Sequence, residues 1–305
     1  MPEHDYAYII VGGGLAGASA VEGIREMDES GSVLLIGNEN HLPYHRPPLS
    51  KQLWLGKKQV GEILIHDRQF YDKSNVTLSL GTEVAGIEPD KKTVRSAAGK
   101  TYHFGKLLLA TGGMPRRLSV PGSDLDGICY YRFLDDYLRI RKDAVEGKSA
   151  LVVGGGFIGS EIAAAFAANR VAVTMIFPEP YLCNRVFPYQ ALGRQMRIEH
   201  WDNALNQGKQ AGRNMAGAGE AFTYMPYFFS DLFEFGYEAV GEVSADLETF
   251  ADWQKENDTG VIYYLKDRKV RGVMMCNVWE KVEAARALIR RGEQVTPEDL
   301  RGVIR

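Results

Sequence analysis

The chain has 305 residues, enough for two or three domains and a substantial core. With 45% hydrophobic and 25% charged residues and a net charge of −3, it has the composition of an ordinary soluble globular protein, and it offers no electrostatic case for binding nucleic acid or an anionic membrane. Its three cysteines, Cys129, Cys183 and Cys276, are far apart and odd in number. They make no disulfide framework, CxxC redox pair or zinc site; no metal site is expected, and each cysteine reads as a small buried hydrophobe. No apolar run is long enough to span a bilayer, and the start lacks the charged and apolar regions of a leader, so the expected location is the cytoplasm.

The first element is a short apolar strand, Tyr8 to Val11, followed by a glycine turn and a small-residue helix. Gly12, Gly14 and Gly17 have the spacing of a dinucleotide fingerprint. The first glycine permits the tight turn, the second lets a pyrophosphate approach the backbone, and the third lets helix and strand pack closely. Ser32 to Gly37 reads as the next strand, with Glu39 just beyond it, where an acid can bind a ribose hydroxyl. The segment from His41 to Lys51 follows. Its adjacent prolines, Pro47 and Pro48, predict an extended bend, and Ser50 is placed to cap a following helix. Arg46 and Lys51 bring two cations to a place where an anionic cofactor is already suspected.

From Val60 to Ser96 the pattern is mixed. Glu62 to His66 reads as a short strand, Arg68 to Lys73 as a helical turn, Val76 to Leu80 as an alternating strand, and Val84 to Ser96 as a hairpin. An apolar strand then ends in Ala110-Thr111-Gly112-Gly113, which suits a chain passing beside a cofactor without side-chain bulk. Pro115 and the Val120-Pro121-Gly122 turn mark a domain boundary. A second fingerprint follows another apolar strand: Gly154, Gly156 and Gly159, then an alanine-rich helix, a strand from Val171 to Phe177, and Glu179 near its end. Two such fingerprints in one chain suggest two adenine-containing cofactors held so that electrons pass between them. From about Phe222 the chain reads as a separate α+β piece, with a hairpin around the Lys266 to Lys269 turn and an amphipathic helix over Val282 to Ile289.

The order of these motifs resembles the FAD-dependent pyridine-nucleotide oxidoreductases: fingerprint, Leu42-Pro43-Tyr44-His45-Arg46-Pro47-Pro48-Leu49-Ser50-Lys51, Ala110-Thr111-Gly112, then a second fingerprint with Phe157-Ile158-Gly159-Ser160-Glu161. It is most similar to the apoptosis-inducing-factor and NADH–ferredoxin reductase branch, and the likeness resumes at Arg197-Ile198-Glu199-His200-Trp201 and runs to the C-terminal region. The resemblance implies a Rossmann-like FAD-binding domain, a second Rossmann-like half for NAD(P)H, and a C-terminal α+β domain. Gly12, Gly14, Gly17 and Glu39 would hold the AMP half of FAD. Arg46, Pro48 and Lys51 would lie along pyrophosphate and flavin, with Thr111 and Gly112 passing near. Gly154, Gly156, Gly159 and Glu179 would take the nicotinamide nucleotide, Glu179 favouring NADH because an acid repels a ribose phosphate. Lys51 and Glu161 would pair beside the reactive edge of the flavin, and Phe157 would stack over it. His200 and Trp201 would begin a helix whose positive end stabilises charge on reduced flavin. Read on their residues alone, Phe157 is more readily a core ring, Lys51–Glu161 a surface pair and Trp201 packing.

One piece of the pattern is missing. Gln190 to Met196 runs straight into Arg197, where the family continues its second nucleotide domain and returns through a Gly-Asp pair whose aspartate binds the ribityl chain. About 100 residues are absent after Met196, since a second nucleotide domain needs more than one βαβ unit. The organisation expected is an FAD-binding domain at 1–118, a truncated NAD-binding half at 119–196, a return helix at 197–220 and an α+β domain at 221–305. Two functions stay open. One is a flavoprotein oxidoreductase carrying electrons from NAD(P)H through FAD to ferredoxin, quinone or oxygen. The other is a shortened flavin- or nucleotide-binding variant without efficient hydride transfer, acting through association, with a homodimer completing its half-built sheet.

Overall fold

The computed structural model describes residues 4–178, 200–232, 235–244 and 246–305. In chain order the elements are β1 (Asp5–Val11), α1 (Leu15–Arg25), β2 (Val33–Ile36), α2 (Arg68–Lys73), β3 (Val76–Ser79), β4 (Val84–Glu88), β5 (Thr93–Ser96), β6 (Thr101–Leu109), α3 (Leu134–Asp143), β7 (Ser149–Val153), α4 (Phe157–Ala168), β8 (Ala172–Ile176), α5 (Trp201–Met215), β9 (Tyr227–Leu232), β10 (Phe235–Gly241), β11 (Glu248–Lys255), β12 (Thr259–Lys266), β13 (Lys269–Cys276), α6 (Val282–Arg291) and α7 (Pro297–Leu300). Two compact units form. The first takes residues 1–48, 56–134 and 203–224; the second takes 49–55, 135–202 and 225–305.

The first unit is built on a six-stranded sheet of order β3-β2-β1-β6-β5-β4. β1, β2, β3 and β6 run parallel, and β4 and β5 form the expected hairpin. Side chains of a strand alternate between faces, so a strand buried on both sides is apolar throughout. Tyr8, Ile10, Val33 and Leu35 meet Ala20, Val21 and Ile24 on one face, while Ile9, Val11, Leu34 and Ile36 meet Val94 and Tyr102 on the other. α5 lies against α1 at backbone distance: a Cβ on Gly208 would stand 2.3 Å from the Ala16 carbonyl oxygen, and one on Gly212 would stand 2.0 Å from that of Ala20. Glu26 ties the same two helices to Lys209 at 2.6 Å and Arg213 at 2.8 Å.

The second unit holds a five-stranded antiparallel sheet of order β11-β12-β13-β10-β9 and a separate parallel pair, β7-β8. One face of the larger sheet, with Val240, Val261, Tyr263, Val273 and Met275, packs under Ala285 of α6 and Leu300 of α7. The other face, with Phe228, Tyr237, Ala239, Tyr264 and Met274, receives Phe157 of α4. The β12–β13 hairpin closes through Asp267 and Arg268, both at positive φ, the turn whose twist matches the strands.

Four local expectations change. Glu62–His66 is no strand: a 3-10 helix, Val60–Ile63, forms because Gln59 and Glu62 cap each other, leaving an isolated bridge between Tyr44 and Leu64. Pro47–Ser50 is likewise a 3-10 turn and not an extended bend, since proline at a helix start loses no donor that the helix would use. Ser50 ends that turn, and no helix of the fold begins directly after it; its hydroxyl donates to a buried carboxylate described below. Cys276 is buried as expected, and burial lifts its thiol to about 11, but Cys129 is exposed because it sits in the 111–131 loop outside either core. Cys183 lies outside the described residues.

Candidate functional site

The first fingerprint divides its labour among its glycines. Gly12 has φ +131°, and a Cβ there would stand 2.0 Å from the carbonyl oxygen of Ala110 at the end of β6. A Cβ on Gly17 would stand 2.1 Å from the Gly12 carbonyl oxygen, so this glycine sets the closeness of helix and turn. A Cβ on Gly14 would meet nothing within 4 Å. Space is thus kept in front of the one glycine that must let a phosphate approach, and no side chain caps the N-terminus of α1. These are the requirements of a dinucleotide pyrophosphate on a helix N-terminus, and the residues fit such a group. Thr111 and Gly112, both exposed, continue from Ala110 beside this turn.

Beyond β2, Glu39 accepts from the Tyr44 hydroxyl at 2.5 Å and from Arg46 Nη2 at 2.9 Å. Arg46 also donates to the Arg132 carbonyl at 2.9 Å and lies over the rings of Tyr44 and Phe133. Tyr44 accepts in turn from the Leu134 N–H. Burial, opposed by the Arg46 charge and reinforced by the Glu39 bond, pushes the Tyr44 phenol well above its ordinary value, so it remains a donor. Glu39 is therefore aimed by a phenol and a guanidinium. Tyr44 was not singled out from the sequence, although it stands inside the Leu-Pro-Tyr motif.

In the second unit the fingerprint repeats with one difference. Gly154 has φ +119°, and a Cβ on Gly159 would stand 2.0 Å from the Gly154 carbonyl oxygen, yet Cβ atoms on Gly154 and Gly156 would meet nothing within 4 Å. Among the described residues no strand stands beside β7 in the role that β6 has beside β1. Glu179 lies outside the described residues.

Lys51 and Glu161 come together in this unit, Nζ to Oε1 at 3.2 Å, with side chains 12% and 8% exposed. The Lys51 ammonium also lies 5.1 Å from the centre of the Phe229 ring. Glu161 is fixed by α4 and Lys51 by the 49–55 strap. Trp54 of that strap packs edge-on against Phe166 of α4 and Tyr137 of α3. Pro48, buried, precedes the strap. Phe157, one helical turn before Glu161, meets His200, Phe228 and Tyr237, and His200 stacks on Phe228 at 4.9 Å. Trp201 begins α5. That start is pinned by Asp202, which accepts from the Tyr227 N–H at 3.1 Å and pairs with buried Arg286 at 3.5 Å. Asp202 and Arg286 had no sequence signal, being 84 residues apart in unrelated motifs. Among the described residues no cluster suits a metal ion, and no helix is long and apolar enough to cross a membrane.

The profile of the pyridine nucleotide-disulphide oxidoreductase family matches residues 6–207, and that of the apoptosis-inducing factor C-terminal region matches 211–259 and 251–291. A rubredoxin-NAD(+) reductase of Pseudomonas putida is 38% identical over 180 residues, 59% of this chain and 47% of the relative, so the chain spans about half the length of that protein. The ferredoxin–NAD(+) reductase component of the anthranilate 1,2-dioxygenase system of Burkholderia cepacia is 26% identical over 391 positions, covering 96% of each chain. That alignment is longer than this chain, so it opens gaps within this sequence. The junction expected after Met196 lies outside the described residues. In fold, the chain matches a crystal structure of the ferredoxin reductase for the CYP199A2 system of Rhodopseudomonas palustris with a TM-score of 0.87 at 20% identity, over 96% of each chain. The chain belongs to the pyridine nucleotide-disulphide oxidoreductases, a family of FAD-dependent enzymes, in the branch of apoptosis-inducing factor and the ferredoxin reductases.

Proposed function

We propose that this chain is an FAD flavoprotein that takes electrons from NAD(P)H and delivers them to a ferredoxin-type iron–sulfur protein, with quinone or oxygen as alternative acceptors. The observation that carries the reading is the space kept in front of Gly14 between two glycines that are locked by backbone. Gly12, Gly14 and Gly17 would present the α1 N-terminus to the pyrophosphate, with Glu39, aimed by Tyr44 and Arg46, on the adenosine ribose. Thr111 and Gly112 would line the path of the cofactor, and Pro48 would hold the turn that leads to Lys51. Bound FAD would supply the redox chemistry, accepting a hydride and releasing electrons. Lys51 would hold a positive charge at the flavin edge, with Glu161 compensating its burial. Phe157 would screen that edge from water, and His200 and Trp201 would bring the N-terminus of α5 toward it. Gly154, Gly156, Gly159 and Glu179 would serve the nicotinamide nucleotide. The functional division proposed is 1–118 for FAD, 119–196 for the shortened nicotinamide half, 197–220 for the return helix and 221–305 for the C-terminal part, in a cytoplasmic protein.

A second reading is favoured by the two-stranded β7-β8 sheet: FAD is held, but hydride transfer is poor, and the exposed sheet associates with another copy. A visible spectrum of the purified chain before and after anaerobic NADH separates the two. Flavin bands that bleach support the reductase. Bands that persist support the second reading. No flavin, even after adding FAD, would remove both.

A further inference from the structure

Glu161 has more partners than its ion pair requires. Ser50 Oγ donates to its Oε2 at 2.5 Å, and Ser230 Oγ donates to its Oε1 at 3.0 Å, the oxygen that also faces Lys51. Both serines are buried, Ser230 to 1% exposure. The Ser230 hydroxyl is not needed for local structure: Ser230 lies between Phe229 and Asp231 in a regular ladder opposite Tyr237. A buried hydroxyl without a partner costs free energy, so its presence among aromatic neighbours is accounted for by the bond it makes.

The placement follows from two repeats. Phe157 and Glu161 are four residues apart on α4, a rise of about 6 Å. Phe228 and Ser230 are two apart on β9, a step of about 6.7 Å on the same face. The steps match, so Phe157 seats against Phe228 while Glu161 seats against Ser230. Ser50 approaches from the strap that carries Lys51, so the residue bonded to the carboxylate is covalently next to the ammonium. We propose that Ser50 and Ser230 are positioning residues: they fix the Glu161 carboxylate in the one orientation that seats the Lys51 ammonium, and Ser230 makes the C-terminal sheet a structural partner of that pair. The placement of the pair beside the flavin rests on the function proposed above; the brace itself does not.

The test uses the purified full chain, as isolated and after addition of FAD. Lys51 is trace-labelled with an amine-reactive anhydride at one mildly alkaline pH and counted by mass spectrometry, with exposed Lys91 as internal reference. Ser230→Ala and the double variant Ser50→Ala/Ser230→Ala are expected to raise the Lys51 rate at least about fivefold, as a charge-assisted contact on its counterion is lost, with Ser230→Thr returning it toward the starting value. An unchanged Lys51 rate in the folded double variant overturns the proposal. Should the alanine variants fail to fold, Ser230→Cys, similar in volume but a weaker donor, is held to the same criterion. Lys51→Met tests the other layer: an unaltered flavin affinity and reduction potential there would defeat the flavin-edge reading and leave the brace standing.

Discussion

The two glycine fingerprints are the same device set in different surroundings. Both turn at a positive φ, both seat a third glycine about 2 Å from a carbonyl oxygen as judged by an added Cβ, and both leave the middle glycine open. The first stands in a six-stranded sheet, with Ala110 at the end of β6 closing against Gly12. The second stands on two strands that expose three large apolar side chains beside Ser149 and Thr174: Leu151 is 58% exposed, Val153 59% and Ile176 54%. A fingerprint turn thus assembles from its own strand and helix, whereas the platform behind it needs neighbours. Local spacing reports the first and says nothing about the second.

The largest expected contrast lies at the turns themselves. Gly12→Ala sets a Cβ against the Ala110 backbone and should cost more than about 3 kcal/mol, while Gly154→Ala, with open space, should cost about 1–2 kcal/mol for its φ alone. Urea unfolding monitored separately in each unit reads this, and equal losses would dissolve the contrast. Next, Gly212→Val would wedge α5 from α1 and should remove about 2–4 kcal/mol from the first unit only. A smaller effect is expected at the exposed strands. Leu151→Thr, Val153→Thr and Ile176→Thr together should change stability by less than about 1 kcal/mol and reduce self-association in sedimentation velocity; undiminished association would move the sticky surface elsewhere.

The smallest effect concerns the connections that follow the two fingerprint helices. After α1, Asp28 accepts from the Gly31 and Ser30 N–H groups and from the Tyr8 hydroxyl, which hold its carboxyl at about 2. A depressed carboxyl stabilises the fold above its unfolded value of about 4, and that stability disappears as pH falls through about 2. After solvent screening it amounts to no more than about 1 kcal/mol. The turn after α4, through Asn169 and Arg170, has no carboxylate in that place. Asp28→Asn should flatten the acid limb of the first unit's stability curve and leave the second unit's unchanged.

Much of this arrangement is legible in the sequence. Glycine spacing, alternating strands and the order of motifs are local signals, and the parallel sheet, both turns and the β12–β13 hairpin follow from them. The 47–66 region was misread because its structure comes from reciprocal side-chain caps and a proline-started turn, which weigh more than the hydrophobicity of Ile63-Leu64-Ile65. The Ser50–Glu161–Ser230 set was illegible for a different reason. Its members come from a strap, a helix and a sheet far apart in sequence, and serine carries no pattern by itself. Tyr44, which aims Glu39, could have been found by asking what holds an acid at a strand end.

The first unit is assembled from three stretches of chain, and its layers close late. α1 finds α5 only after nearly two hundred residues, and Gly12 finds Ala110 after nearly a hundred. Ordering such distant pieces makes folding slower than the local simplicity of each turn suggests. On a ribosome, the α1 surface that α5 will cover stays uncovered while the whole second fingerprint is being made. The internal gap expected after Met196 would fall within that wait. It would shorten the loop between α1 and α5, yet closure entropy grows only with the logarithm of loop length, so the saving is well under about 1 kcal/mol. The gap would therefore change how long α1 stays exposed during synthesis more than how firmly α5 finally covers it.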